Sequence, residues 1–141
     1  MAQEALDVYM QAWKTIDAAY AEPASRDWEP EVRRYMADPR ALQVLNAIDG
    51  LVQDQVHTTG QTKISAAVTS IEGTGSGAKV TIAACVDSTG GDLLDASGHS
   101  VLVPLQSGPR TKQYANVFRY ADSDGGWLLS QITVPQPYQP C

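Results

Sequence analysis

Residues 79–87, Lys-Val-Thr-Ile-Ala-Ala-Cys-Val-Asp, decide the fold. Apolar residues recur at every second position, which is the period of a β-strand with one buried face. Val80, Ile82, Ala84 and Val86 point one way, while Thr81, Ala83, Cys85 and Asp87 point the other. A strand of this kind belongs in the middle of an antiparallel sheet whose apolar face is covered by another layer.

Downstream of Val56 the same period continues. Lys63–Ile71, His99–Leu105, Thr111–Tyr120 and Trp127–Val134 are rich in β-branched and aromatic residues and make up about five strands with the central one. Gly-rich stretches separate them, among them Gly73-Thr74-Gly75-Ser76-Gly77 and Asp122-Ser123-Asp124-Gly125-Gly126, the second a strong hairpin signal. Upstream the period is helical. Leu6, Tyr9, Met10, Trp13, Ile16, Ala19 and Tyr20 share one face of a helix over residues 2–20, with Glu4, Asp7, Lys14 and Asp17 elsewhere. A short helix is predicted from Pro30 through Met36, and Asp38-Pro39 reads as the N-cap and first residue of a third. That helix carries Leu42, Leu45, Ile48, Leu51 and Val52 on one side, with Gly50 weakening its last turn. Residues 135–141 hold Pro135, Pro137 and Pro140 and are predicted to be an extended tail. Helices first and strands afterwards imply a single α+β domain, residues 1–141, with helices on one face of the sheet.

Composition narrows the function. Net charge is −6, and no basic cluster exceeds Arg33-Arg34, which argues against nucleic acid and anionic membranes as partners. The acid is concentrated in residues 1–54, with ten Asp/Glu against five Lys/Arg; a solvated helical face explains this more simply than an acidic docking surface. No apolar run reaches the ~18 residues of a transmembrane span. The start, Met-Ala-Gln-Glu-Ala-Leu-Asp, has neither the basic nor the apolar region of a signal peptide. The expectation is therefore either a chain that stays inside the cell or one that begins after a removed export segment.

The order of elements, with Tyr9-x3-Trp13 in the first helix, Asp38-Pro39 opening another, a strand ending Cys85-Val86-Asp87, the Asp124-Gly125-Gly126-Trp127 hairpin and a closing cysteine, resembles the NTF2-like (cystatin-like cone) superfamily. It is most similar to the small secreted proteins and lipoproteins of actinobacteria with this fold. The resemblance implies a curved sheet of about five strands wrapped around the first helix. It implies little about activity, since the fold hosts enzymes, binding modules and structural domains.

Several groups are candidates for chemistry. Cys85 and Cys141 admit a redox pair, a metal site, a nucleophile or a disulfide. The isolated His57 and His99 give no metal-ligand spacing with them, and no base stands beside Cys85 in the sequence. A disulfide pinning the tail to the sheet is the preferred expectation; closing a loop of about 57 residues contributes roughly 4 kcal/mol in the chain-entropy account. It points to an oxidising compartment. Tyr9, Trp13, Tyr35, Tyr114, Phe118 and Trp127 are candidates to line a cone pocket for a small apolar ligand, against the plainer expectation that they fill the core.

The resemblance also admits acid–base chemistry of the ketosteroid isomerase or dehydratase kind. Asp87 or His57 would be the base and Tyr9 or Tyr20 its partner. The Gly73–Gly77 stretch lacks the Gly-Lys-Ser/Thr ending of a phosphate loop, and Asp122–Gly125 lacks the twelfth-position Glu of a calcium loop, so neither predicts a cofactor or metal. The preferred function is a non-enzymatic, exported or surface-tethered domain that binds a protein partner or small apolar ligand, with a homodimer through the open sheet face as one form. An intracellular protein of phage or mobile-element origin, with reduced cysteines, is the remaining alternative.

Overall fold

The computed structural model describes residues 2–101, 110–120, 126–135 and 141. Three helices come first: α1 (Ala2–Ala21), α2 (Glu29–Tyr35) and α3 (Arg40–Asp54). The strands follow as β1 (His57–Thr59), β2 (Lys63–Glu72), β3 (Lys79–Asp87), β4 (Asp92–Leu94), β5 (Arg110–Arg119) and β6 (Trp127–Thr133). All pairings between these strands are antiparallel, in a main sheet ordered β2-β3-β5-β6 and a two-stranded arm of β1 and β4. The fold is α+β, with its helices ahead of its strands, as the sequence predicts.

The alternation of β3 organises the sheet. Val80, Ile82, Ala84 and Val86 are buried, and the residues between them are half-exposed. Register carries the parity to the neighbours. Ile82 stands opposite Ala115 of β5 and Val68 of β2, and Val80 stands opposite Val117. Register shifts between Val68 and Ser70 and between Asn116 and Val117 mark bulges, which bend and twist a sheet.

Helix α1 lies on this inner face. Its buried residues include Ala5, Tyr9, Ala12, Ile16 and Ala19. Ala5, Ala12 and Ala19 recur every two turns, with the larger Tyr9 and Ile16 between them on the buried stripe. Across from it the sheet also presents small side chains, Ala84 and Ala115 among Val and Ile. Val32 and Met36, from α2 and the residue after it, and Ala41, Val44 and Ile48 of α3 complete the same buried cluster.

Two boundaries differ from the sequence reading. Asp38 is not the N-cap of the third helix: α3 starts at Arg40, and Pro39 occupies the cap position without a side-chain hydrogen bond. Residues 36–38 instead run along β6. Ala37 N–H donates to the Leu129 carbonyl at 2.9 Å, Ser130 Oγ donates to the Asp38 carbonyl at 3.1 Å, and the Asp38 carboxylate pairs with Arg33 at 3.2 Å. Helix α3 also runs through Gly50 and stops only at Gln55, whose left-handed backbone (φ 57°) caps the last carbonyls.

Strands β1 and β4 escape the sequence reading because three residues are too few to show a period. Of the predicted strand His99–Leu105, Ser100 forms a single bridge to Leu94, and residues 102–109 lie outside the described residues. Residues 136–140 of the predicted extended tail also lie outside them, while Cys141 is bonded to Cys85 with Cα atoms 5.8 Å apart.

The parity of β3 yields a direct test. Ile82→Ala is expected to cost about 3 kcal/mol in urea unfolding, because it opens a cavity under α1. Ser65→Ala, on the exposed face of β2, is expected to stay within about 0.5 kcal/mol. Equal costs at the two positions would show the parity to be misassigned.

Candidate functional site

The C-terminal half of α1 borders a cavity of about 330 Å³. Trp13, Ile16 and Tyr20 form one wall, and Leu93 of β4 adds apolar surface from the arm. Thr58 and Thr59 of β1, the 60–62 turn and Ser88 supply polar groups around it.

Two contacts hold this cavity open. The Asp17 carboxylate accepts from Thr62 twice, from the backbone N–H at 2.9 Å and from Oγ1 at 2.8 Å, and so ties the turn to the helix. Gly60 has φ +82°, and a Cβ there would lie 2.5 Å from the Gly90 carbonyl oxygen, so only glycine lets the two loops close together. The sequence reading put Asp17 outside the apolar face; the structure half-buries it on the cavity wall.

A second polar group lies against the same helix. The Arg40 guanidinium carbon is 5.8 Å from the centre of the Trp13 ring. No hydrogen bond or ion pair to Arg40 is formed among the described residues, and its Nε is buried. The Tyr9 hydroxyl and the Trp13 indole N–H are likewise buried without a hydrogen-bond partner there. Burial pulls the Arg40 pKa below its usual value, opposed by Tyr20 and Tyr9. Burial pushes the Tyr9 hydroxyl up, countered by the neighbouring Trp13 N–H, which stands near without meeting hydrogen-bond geometry, and by Arg40. It pushes Tyr20 up as well; Arg40 counters this and Asp17 adds to it.

The residues singled out from sequence separate. Tyr9 and Trp127 are fully buried in the core, Trp13 lines the cavity, and Tyr35 is half-buried with the Arg34 guanidinium over its ring. Tyr114 and Phe118 do not line the cone. They pair across from Ala83 and Lys79, at positions alternate to the buried Ala115 and Val117, and so project from the outer face. Cys85 and Cys141 form their disulfide on that outer face.

Asp87 also lies on the outer side. Its carboxylate accepts from Thr89 N–H and Oγ1 and shapes the turn after β3. His57, opposite Leu94 in β1, borders a shallow groove with Leu51, Val52 and the 21–25 loop, apart from the residues that line the main cavity. Among the described residues, no group of three or more His, Cys, Asp or Glu is placed to hold a metal.

The sequence reading missed Arg40 and the Asp17–Thr62 tie. Asp17 carried a faint signal, a carboxylate four residues after Trp13 and three before Tyr20 on the same helical face. Arg40, directly after a proline, carried none.

No protein-family model and no curated protein matches the sequence. Among solved structures, the intermembrane-space region of the chloroplast protein ARC6 is similar over 95% of both chains, with a TM-score of 0.65 and 15% identity. CagV, a VirB8 homologue of the T4SS from Helicobacter pylori, aligns over 94% of this chain and 98% of its own at a TM-score of 0.48 and 13% identity. A de novo designed β-sheet protein aligns over 99% and 92% at 0.39 and 15%. The last two are too distant in shape to bear on the fold. The likeness to the ARC6 region is one of fold alone.

Two measurements check the site. Asp17→Ala is expected to cost about 1–3 kcal/mol and to speed amide hydrogen exchange at Thr62, since it leaves both Thr62 donors without their acceptor. Alkali provides the second. Tyr9 and Tyr20 titrate above the ordinary 10.0 when folded. Their contribution is complete below the unfolded value and is lost as pH rises through the folded values. Unfolding free energy should therefore fall from about pH 10 upward, and less steeply in Tyr9→Phe.

Proposed function

We propose that this chain is a binding domain of the NTF2-like cone type, exported and held at the cell surface, that takes a small apolar ligand between α1 and the β1–β4 arm. The observation that carries the reading is the cavity of about 330 Å³ with Trp13, Ile16, Tyr20 and Leu93 on its walls. An apolar pocket with a few placed polar groups, at the low end of the usual size range, is what a small-molecule site requires. The cone assignment is supported by helices preceding an antiparallel sheet and by α1 lying on the sheet's inner face.

Export is supported by the Cys85–Cys141 bond, which persists in oxidising compartments. That bond speaks against the intracellular phage reading, which needs reduced cysteines. The surface tether rests on the resemblance to actinobacterial lipoproteins. No helix among the described residues is long and apolar enough to cross a membrane.

The isomerase or dehydratase reading gains no support from geometry. Asp87 is occupied with an outer-face turn, and His57 borders a different groove. A second reading, a protein partner or a second copy of the chain on the outer sheet face, has one observation in its favour. Tyr114 is 40% exposed there, on the same side as the Phe118–Tyr120 ring pair. Its neighbours on that face, Lys112, Thr81 and Asn116, are polar, which makes it a weaker site than the cavity.

The test uses a neutral probe that brightens in apolar sites, N-phenylnaphthylamine. It is expected to bind the wild type with one saturable site and to lose at least about tenfold in affinity in Thr59→Trp, whose indole would fill the cavity mouth. A folded wild type that gives no saturable signal, or a signal indifferent to Thr59→Trp, would overturn the reading.

A further inference from the structure

The cavity between α1 and the β1–β4 arm is bordered by two carboxylates, Asp17 of α1 and Asp92 of β4, and by no Lys, Arg or His. Both are half-buried, and neither forms an ion pair among the described residues. Several donors of the lining are already spent. Thr62 gives its N–H and its Oγ1 proton to Asp17, Leu93 N–H and Ser100 Oγ donate to Asp92 Oδ1 at 2.7 Å, and Gly91 N–H donates to the Ser88 carbonyl. An ionised carboxylate has about four lone-pair sites, so each keeps room for a further donor. Asp92 Oδ2 accepts no hydrogen bond among the described residues.

From this lining we propose that the ligand of the cavity is an organic monocation, a primary ammonium ion on an aromatic or aliphatic body, its charge received by Asp17 and Asp92 and its body by Trp13, Ile16, Tyr20 and Leu93. The inference rests on the small-ligand reading given above and names the class of ligand. The cavity defines the site, and the two acids set the sign of the charge it takes. A neutral apolar body that fills the cavity strips water from both carboxylates and leaves them buried and unpaired, which is costly. An ammonium group removes that cost, because it brings a counter-charge and three donors to oxygens that still have lone pairs to offer. An anion would meet like charge instead.

The aromatic wall agrees with this class. Trp13 and Tyr20 carry π-systems that attract a cation lying within about 6 Å of a ring centre, and both also give an apolar body something to stack on. The charge count favours a single ammonium over a diamine. Arg40 does not line the cavity, but its guanidinium carbon is 5.8 Å from the centre of the Trp13 ring, so the surroundings combine two carboxylates with one cation. One ammonium neutralises what remains. At longer range the net charge of −6 raises the local concentration of cations over anions.

The experiment compares naphthylmethylamine with naphthalenemethanol, bodies of one shape with and without the charge, in displacement of bound N-phenylnaphthylamine at pH 7. The wild type is expected to bind the amine at least about tenfold more tightly than the alcohol, the scale of one charge-assisted contact. Asp92→Asn keeps an acceptor for Leu93 N–H and Ser100 Oγ while removing the charge, and should lower that ratio at least about threefold. Asp17→Asn combined with Asp92→Asn should bring the two ligands within about threefold of each other. Should the double variant fail to fold, the wild-type ratio and Asp92→Asn decide the matter. Equal binding of amine and alcohol by the wild type, or a ratio untouched by Asp92→Asn, would overturn the ammonium assignment while N-phenylnaphthylamine binding left the cavity reading intact. Failure of the wild type to bind N-phenylnaphthylamine would overturn both.

Discussion

The packing of α1 on the inner face of the sheet is the contact on which the other elements depend. It combines two periodicities: a two-residue alternation in β3 that gathers Val80, Ile82, Ala84 and Val86, and a helical stripe that gathers Ala5, Tyr9, Ala12, Ile16 and Ala19. Burying a Val or Ile side chain contributes about 1.5–3 kcal/mol, so this layer alone is comparable with the net stability of an ordinary domain before chain entropy is charged against it. Small residues on both surfaces alternate with the larger Tyr9, Ile16 and Trp127 in one buried cluster.

The same helix also borders the cavity and the arm. Contacts of α1 run from β6 at one side of the sheet to β1 and β2 at the other. The larger Trp13, Ile16 and Tyr20 come in its C-terminal half, where β1, β4 and the 60–62 turn form the opposite wall. The arm has only two short strands and little core of its own. It is placed by polar and backbone constraints instead, the Asp17–Thr62 tie and the Gly60–Gly90 approach. On the far side of the sheet the Cys85–Cys141 bond anchors the chain end to the central strand. The two faces thus differ in character, an apolar one gathered under α1 and a mixed polar one carrying the disulfide.

The fold was legible in the sequence wherever periodicity was long enough to read. The nine residues of β3 and the twenty of α1 announced their faces, and the order of helices and strands gave the class. The disulfide followed from there being two cysteines with no ligand or base to suit another role. The site was harder. Residues 113–118 alternate two sets, Gln113, Ala115 and Val117 against Tyr114, Asn116 and Phe118, and bulk alone favours the aromatic set as the buried one. Register against Ile82 and Val80 selects Ala115 and Val117, since they stand opposite the buried set of β3. Asp38 read as a helix cap, yet its backbone is drawn to β6, a long-range contact that no local pattern shows. Arg40 gave no signal for a similar reason, since its meaning depends on Trp13 and Tyr9, some thirty residues earlier in the chain.

The account centres on a cavity bounded by the C-terminal half of α1 and the β1–β4 arm. Amide and indole NMR of the protein titrated with N-phenylnaphthylamine tests this most directly. Saturating shifts gathered at the Trp13 indole, Thr58, Thr62 and Leu93 are the predicted result. Shifts gathered instead on the outer face, at Lys112 and Tyr114, would contradict the account.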